Sequence, residues 1–169
     1  AFLNAGVYGF TGPIDEYPLD RYRTVIGTNI DGVVLGVHQC VPVLRARGGG
    51  ALVATASVAG IVAFEGNPVY TLTKQAVTGF VRAVAPSLQP AGITINAVCP
   101  GVVDTPMTVE ATGGASLGDR SFVLITPRRI AESACDLLET DRTGVCRAVR
   151  EEGEPIDWEF PTWRDLARA

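Results

Sequence analysis

The stretch Pro68-Val-Tyr-Thr-Leu-Thr-Lys-Gln-Ala-Val77 sets a phenol and an ammonium four residues apart, and Lys74 is the single lysine among 14 basic residues. A helix stacks residues i and i+4 on one face, so a helical stretch brings Tyr70 and Lys74 together. A phenol titrates at about pH 10 and is a poor base near neutrality, but a neighbouring ammonium favours its phenolate. The pair would then serve as a proton-transfer group. The ordinary alternative is an exposed lysine beside an unrelated tyrosine. The pair alone does not separate the two.

Further residues have types suited to the same chemistry. Ser57 follows an apolar run, Ala51–Ala56, and a hydroxyl there either steadies charge on a substrate oxygen or caps local backbone. Asn29 interrupts an apolar helical face flanked by Ile26, Ile30 and Val33. A buried amide must find partners, so Asn29 is either a polar packing residue or one that bends the helix and binds a water. A serine hydrolase is the competing chemistry, but "TASVAG" lacks the G-x-S-x-G elbow and His38 precedes Ser57. His38 is the sole histidine. Cys40, Cys99, Cys135 and Cys146 have neither zinc-ligand nor redox-pair spacing, so no metal site is expected, and the thiols read as buried and reduced in a cytoplasmic protein.

The elements that must position these groups are legible in outline. Three apolar runs end in small or turn-forming residues: Ala1–Leu3 before "NAG", Ala51–Ala56 before "SVAG", and Ile93–Val98 before "CPG". Their β-branched, unalternating character fits parallel strands covered on both faces, and Val145–Val149 makes a fourth. Apolar residues recur with helical period from Leu19 to Leu44. Pro68 opens a second helix that Pro86 should disturb near its end, and a third runs from Pro127 to Glu139 with Thr126 as N-cap. On the second helix, Thr71, Gln75, Thr78 and Arg82 form a polar stripe and Val69, Leu72, Ala76, Phe80 and Val84 an apolar arc, with Tyr70 and Lys74 on the flank between them.

Strands alternating with helices predict an open α/β sheet of right-handed crossovers, in which ligands bind beyond the carboxyl ends of the strands. Asn4-Ala5-Gly6, Ser57 and Pro100-Gly101 all fall on that edge. The glycine-rich segment 106–126 reads as a mobile loop over it. Residues 1–150 make one domain, and 151–169 an irregular aromatic tail that packs on it or on a partner subunit.

With 169 residues, a formal charge of −4 and a pI near 5.0, the chain has the size of one globular domain and no basic surface for nucleic acid. No apolar stretch is long enough to span a bilayer.

Taken together, "NAG" at 4–6, the asparagine of "TNIDGV", Ser57 of "TASVAG", the Tyr70-x-x-x-Lys74 pair and "CPGVVDT" at 99–105 resemble the classical short-chain dehydrogenase/reductase family in order and spacing, from residue 1 to about 150. The resemblance implies a Rossmann-like doubly wound parallel sheet and oxidoreduction with NAD or NADP. It implies that Tyr70 exchanges a proton with the substrate oxygen. Lys74 would depress the phenol's pKa and bind the nicotinamide ribose, Ser57 would orient the substrate, and Asn29 would hold a water linked to Lys74. Asn4, Ala5 and Gly6 would approach the adenosine side of the cofactor, and Pro100, Gly101, Val103 and Thr105 would frame the nicotinamide.

The family's glycine-rich phosphate turn, which would precede "NAG", does not occur in these residues, and the chain opens on what reads as a strand end. An N-terminally incomplete sheet is therefore expected. Two readings stay open: part of a longer dehydrogenase, or a truncated non-catalytic paralogue acting as a scaffold or subunit partner. A third is a binding module that uses the apolar cleft without chemistry. Phe64, Val102, Met107 and Val109 would line an apolar cleft together with Ser57, which points to a hydrophobic secondary alcohol or ketone as substrate. The wide apolar arc of the Tyr70 helix points to a homodimer or homotetramer.

Overall fold

Ile93-Thr-Ile-Asn-Ala-Val-Cys-Pro100 lacks the strict alternation of a half-exposed strand, as a strand covered on both faces requires. In the computed structural model, which describes residues 1–111 and 124–167, this run is the central strand β3. The sheet is built from β1 (Phe2–Leu3), β2 (Gly50–Thr55), β3 (Ile93–Pro100), β4 (Cys146–Val149) and β5 (Ile156–Asp157), side by side in that order. The first four are parallel, with Phe2 opposite Val53, Thr55 opposite Val98 and Cys99 opposite Ala148.

Successive residues of β3 point to opposite faces and enter two separate cores. Ile93, Ile95, Ala97 and Cys99 pack with Val33, Val37, Val77 and Val81, while Val98 packs with Val53, Ile130, Leu137 and Val149. The first face is covered by α2 (Gly32–Ala46) and α3 (Pro68–Leu88), the second by α5 (Pro127–Glu139). α1 (Leu19–Ile26) leads into α2 through a single wide turn, Gly27–Asp31, of π-helical geometry. The expected α/β architecture and its doubly wound parallel core are present.

Local signals set the helix ends. Thr126 accepts the Arg129 N–H and caps α5 at the expected residue. Pro68 occupies the first turn of α3, where its missing N–H costs nothing, and Asn67 caps that helix by accepting the Tyr70 N–H at 3.0 Å. The helix passes through Pro86 to Leu88 rather than breaking, and ends in a 3-10 turn and a left-handed Gly92.

Four expectations need correcting. The face of α3 is not the anticipated one. Thr71 and Thr78 are buried and Leu72 is half-exposed, because the two hydroxyls donate to the carbonyls of Phe64 and Gly60 and so bury at little cost. Segment 106–126 is not all loop: Pro106–Ala111 forms α4, Ile125 pairs with Val103, and residues 112–123 lie outside the described ones. Nor is the tail irregular throughout. β5 pairs antiparallel with β4, Arg147 grips Asp157 with two hydrogen bonds of 2.6 and 3.1 Å, Phe160 lies 3.9 Å from the Arg82 guanidinium, and α6 (Trp163–Leu166) follows. Finally, Cys135 is exposed, although Cys99 and Cys146 are buried and all four thiols are free.

One buried side chain ties the second face together. Asn96, wholly inaccessible on β3, donates to the carbonyls of Leu137 and Arg142 at 3.2 and 2.9 Å and accepts the Val145 N–H at 2.9 Å. It joins the end of α5 and the start of β4 to the sheet. Asn96→Ala strands those groups away from water and should cost about 3 kcal/mol. Urea unfolding of the intact protein checks this, and a loss near zero would mean that water replaces the amide.

Candidate active site

Each cluster singled out in the sequence sits at the carboxyl ends of β1, β2 and β3, where an open parallel sheet binds its ligands. Lys74 reaches this edge from α3. Its side chain is 3 % exposed, and its Nζ donates to the Thr55 carbonyl at the end of β2 at 2.9 Å. The ammonium lies 5.5 Å from the centre of the Tyr70 ring. The Ser57 hydroxyl lies close enough to the Tyr70 phenol to lower its pKa. Ser57 also accepts the Ala59 N–H at 3.1 Å and donates to the Pro100 carbonyl at 3.4 Å, so its local-capping role is present.

Asn29 sits in the π turn between α1 and α2, 1 % exposed. Its Oδ1 accepts the Val7 N–H at 2.8 Å, and its Nδ2 donates to the Val7 carbonyl at 2.9 Å and to Thr73 Oγ1 at 3.0 Å. Thr73 in turn donates to the Tyr70 carbonyl at 2.8 Å. A methyl group added at Gly6 would lie 3.5 Å from both Asn29 Oδ1 and Lys74 Nζ, so the three residues border one space. The structure therefore brings Asn29, Ser57, Tyr70 and Lys74 to a single place. Asn4 joins them through its Oδ1, which accepts from Thr55 Oγ1 at 2.8 Å.

The electrostatics overturn one expectation. On balance the Tyr70 phenol is raised and not lowered. Burial pushes it up to about 12, against a lowering by the Ser57 hydroxyl, and the nearby Tyr8 phenol adds to the rise. The same burial pushes Lys74 down to about 8. Loss of water disfavours both charged forms, and the ammonium lies over the ring, 5.5 Å from its centre. At neutral pH the site holds a protonated phenol and a mostly charged amine.

The remaining expected residues form the rim. Val103 pairs with Ile125, Gly101 donates its N–H to the Val149 carbonyl at 2.9 Å, and Thr105 Oγ1 lies 3.4 Å from the Val103 carbonyl. Ala5 is exposed beside Gly6. Phe64 is exposed on the connection into α3, Val102 is partly buried, and Met107 and Val109 lie on α4. Among the described residues, no hydrogen bond joins Phe64, Val102 or Met107 to the Ser57, Tyr70 and Lys74 cluster.

Thr55, Asn67, Thr73 and Tyr8 were not anticipated. Asn67 had a signal, since an asparagine before a helix-opening proline is a cap. Thr73 and Thr55 matter through one carbonyl and one hydroxyl, which no sequence pattern marks. Tyr8 is a loop aromatic whose ring centre lies 5.1 Å from that of Tyr70.

Comparison with known proteins adds an independent line. The family model described as short chain dehydrogenase matches residues 2–115. The cyclohexanol dehydrogenase of Acinetobacter sp. (strain SE19) is 39% identical over 110 residues, covering 65% of this chain and 44% of that protein. The 2-(R)-hydroxypropyl-CoM dehydrogenase of Xanthobacter autotrophicus is 35% identical over 133 residues, covering 78% of this chain and 53% of that protein. The chain thus spans about half the length of these relatives. The crystal structure of levodione reductase superposes with a TM-score of 0.81 at 27% identity, over 89% of this chain and 64% of that one.

The buried amine yields a stability prediction. Its folded pKa of about 8 lies below the ordinary 10.5, so the unfolded chain holds more protons between these values and stability rises with pH across that window. Below pH 8 the buried charge costs its full amount. Lys74→Met should melt above the parent at pH 7, with the gap closing by about pH 10. A variant that melts lower at both pH values would show that the Thr55 hydrogen bond outweighs desolvation.

Proposed function

The chain belongs to the short-chain dehydrogenase family, and from that membership we propose that it forms the catalytic part of an NAD(P)-dependent oxidoreductase interconverting a secondary alcohol and a ketone. The observation that carries the reading is the convergence of Ser57, Tyr70 and Lys74 on one buried spot, with Asn29 tied to the same helix turn through Thr73.

The residues present suit a dinucleotide. Lys74 is a buried ammonium with three N–H groups and, among the described residues, one acceptor, the Thr55 carbonyl. The other two N–H groups fit the paired hydroxyls of a ribose. Asn4, Ala5 and Gly6 would lie along the adenosine side, and Pro100, Gly101, Val103 and Thr105 along the nicotinamide. When bound, the nicotinamide supplies or accepts the hydride.

The chain's own part is proton handling. Ser57 holds the substrate oxygen against the Tyr70 phenol, and Tyr70 gives that oxygen its proton as the ketone becomes an alcohol. Lys74 offsets the phenolate charge left behind. The side-chain amide of Asn29 is spent on Val7 and Thr73. A water link to Lys74 would then use a main-chain carbonyl of the Gly27–Asp31 turn in place of that amide.

Phe64, Val102, Met107 and Val109 would give the cleft its apolar wall, favouring a hydrophobic substrate, and the similarity to a cyclohexanol dehydrogenase favours a ring alcohol. The exposed Leu35 and Val43 on α2 and Leu72 on α3 supply an apolar face for a homodimer or homotetramer. Four free thiols favour a cytoplasmic setting, and no described helix is long and apolar enough to cross a membrane.

Tyr70→Phe in the intact protein should lower turnover by about a thousandfold while leaving NAD(H) or NADP(H) binding unchanged. Lys74→Arg should be nearly as damaging, because a guanidinium cannot take the place of a compact ammonium beside a ribose. Steady-state kinetics with parallel nucleotide titrations check both. Near-parent turnover in Tyr70→Phe would refute the acid role, and an intact protein that binds neither nucleotide would favour the scaffold reading. Ketone reduction should hold level up to pH 8 and fall above it as Lys74, lowered to about 8, loses its proton.

A further inference from the structure

The segment between β1 and α1 crosses the carboxyl edge of the sheet with little regular structure, yet side chains hold its backbone at Val7, Tyr8 and Phe10. Asn29 takes both the N–H and the carbonyl of Val7. Asn67, wholly inaccessible, donates through Nδ2 to the Tyr8 carbonyl at 3.0 Å. Gly9 adopts φ +89°, a value side chains resist, and a Cβ there would strike the Tyr17 hydroxyl. Phe10 donates its N–H to that same hydroxyl at 3.2 Å, and its ring meets the Tyr17 ring edge-on at 5.4 Å.

Buried amides cost free energy unless fully bonded, and here two of them, from different helices, are spent on one short loop. What the loop holds in place is Tyr8. Its ring is tilted 43° against the ring of Tyr70, and its hydroxyl stands beside Thr11 and Asn67. The other Asn67 bond, to the Tyr70 N–H, ties the same side chain to the first turn of α3. One asparagine therefore sets the loop aromatic and the reacting phenol in a common frame.

We propose that Tyr8 is a specificity-determining residue, an aromatic wall beside Tyr70 against which the carbon ring of a cyclic secondary alcohol or ketone lies, and that Asn67 is the positioning residue that holds this wall in register. The inference rests on the oxidoreductase reading and its ring substrate, and adds the residue that recognises the ring. The C–H bonds of a saturated ring carry slight positive charge and pack on the negative face of an aromatic ring, whereas a short acyclic alcohol covers little of it. The wall also keeps water from the Tyr70 phenol, which lies among Ser57, Lys74 and Tyr8.

Two measurements on the intact protein test this. In the first, tyrosines carry a carbon-13 label at the ring carbon bearing the hydroxyl, and the Tyr70 signal is assigned by its loss in Tyr70→Phe. At about pH 11 the parent Tyr70 should keep its proton, and Tyr8→Ala, which admits water, should lose it. Unchanged titration in Tyr8→Ala would overturn the wall whether or not the protein turns over any substrate, so this arm stands apart from the oxidoreductase reading.

The second compares cyclohexanol with 2-butanol. Tyr8→Ala should lower kcat/KM for cyclohexanol relative to 2-butanol by about tenfold, mostly through KM, and Tyr8→Phe should keep the parent ratio. Asn67→Ser keeps a cap for the Tyr70 N–H but cannot reach the Tyr8 carbonyl, and should reproduce part of the lost discrimination with the helix intact. An unchanged ratio in Tyr8→Ala, or a parent enzyme that prefers 2-butanol, would overturn the assignment of substrate class.

Discussion

The hydrogen bond from Lys74 Nζ to the Thr55 carbonyl is the constraint on which the rest of the site depends. It reaches from the second turn of α3 to the last residue of β2, and it does so in the interior, with the side chain 3 % exposed. A buried ammonium costs several kcal/mol unless its donors are used. That cost fixes where α3 can lie along the sheet. Once the helix is placed, Tyr70 one turn earlier must stand over the strand ends, and Ser57, two residues past Thr55, must stand beside it.

The polar groups around this bond form a connected set and not a scatter of pairs. Asn29 joins the loop after β1 to Thr73, Thr73 joins the carbonyl of Tyr70, and Asn67 joins the same loop to the start of α3. Such a network is stable only when its members are satisfied, and it then allows few alternative arrangements. The desolvation that raises the Tyr70 pKa and lowers that of Lys74 is the cost of this order. A site built this way gives up stability to keep a phenol protonated beside a buried amine.

Much of this was legible in the sequence because it is periodic or local. The strands at Ile93 and Val145, the helix from Pro127 to Glu139 and the i, i+4 spacing of Tyr70 and Lys74 follow from apolar pattern, caps and helix geometry. The misread face of α3 has a different origin. Polarity predicts exposure only when a hydroxyl finds no internal partner, and Thr71 and Thr78 find carbonyls 7 and 18 residues away. β5 escaped notice because two residues carry no period, and its place depends on Arg147 meeting Asp157. Tyr8 was invisible for the same reason: its role is a ring contact with a residue far along the chain. The sign of the Tyr70 shift was also beyond the sequence, since spacing shows which charge is near but not how much water is removed.

The most direct test follows the hydride. The intact protein is given a cyclic ketone with NADH or NADPH carrying deuterium at the transferable position of the nicotinamide, and the alcohol product is weighed and mapped. The account predicts one deuterium, bound to the carbinol carbon, and loss of the product when Tyr70 is changed to phenylalanine. Product formed without deuterium, or formed at the parent rate without the Tyr70 hydroxyl, would contradict it.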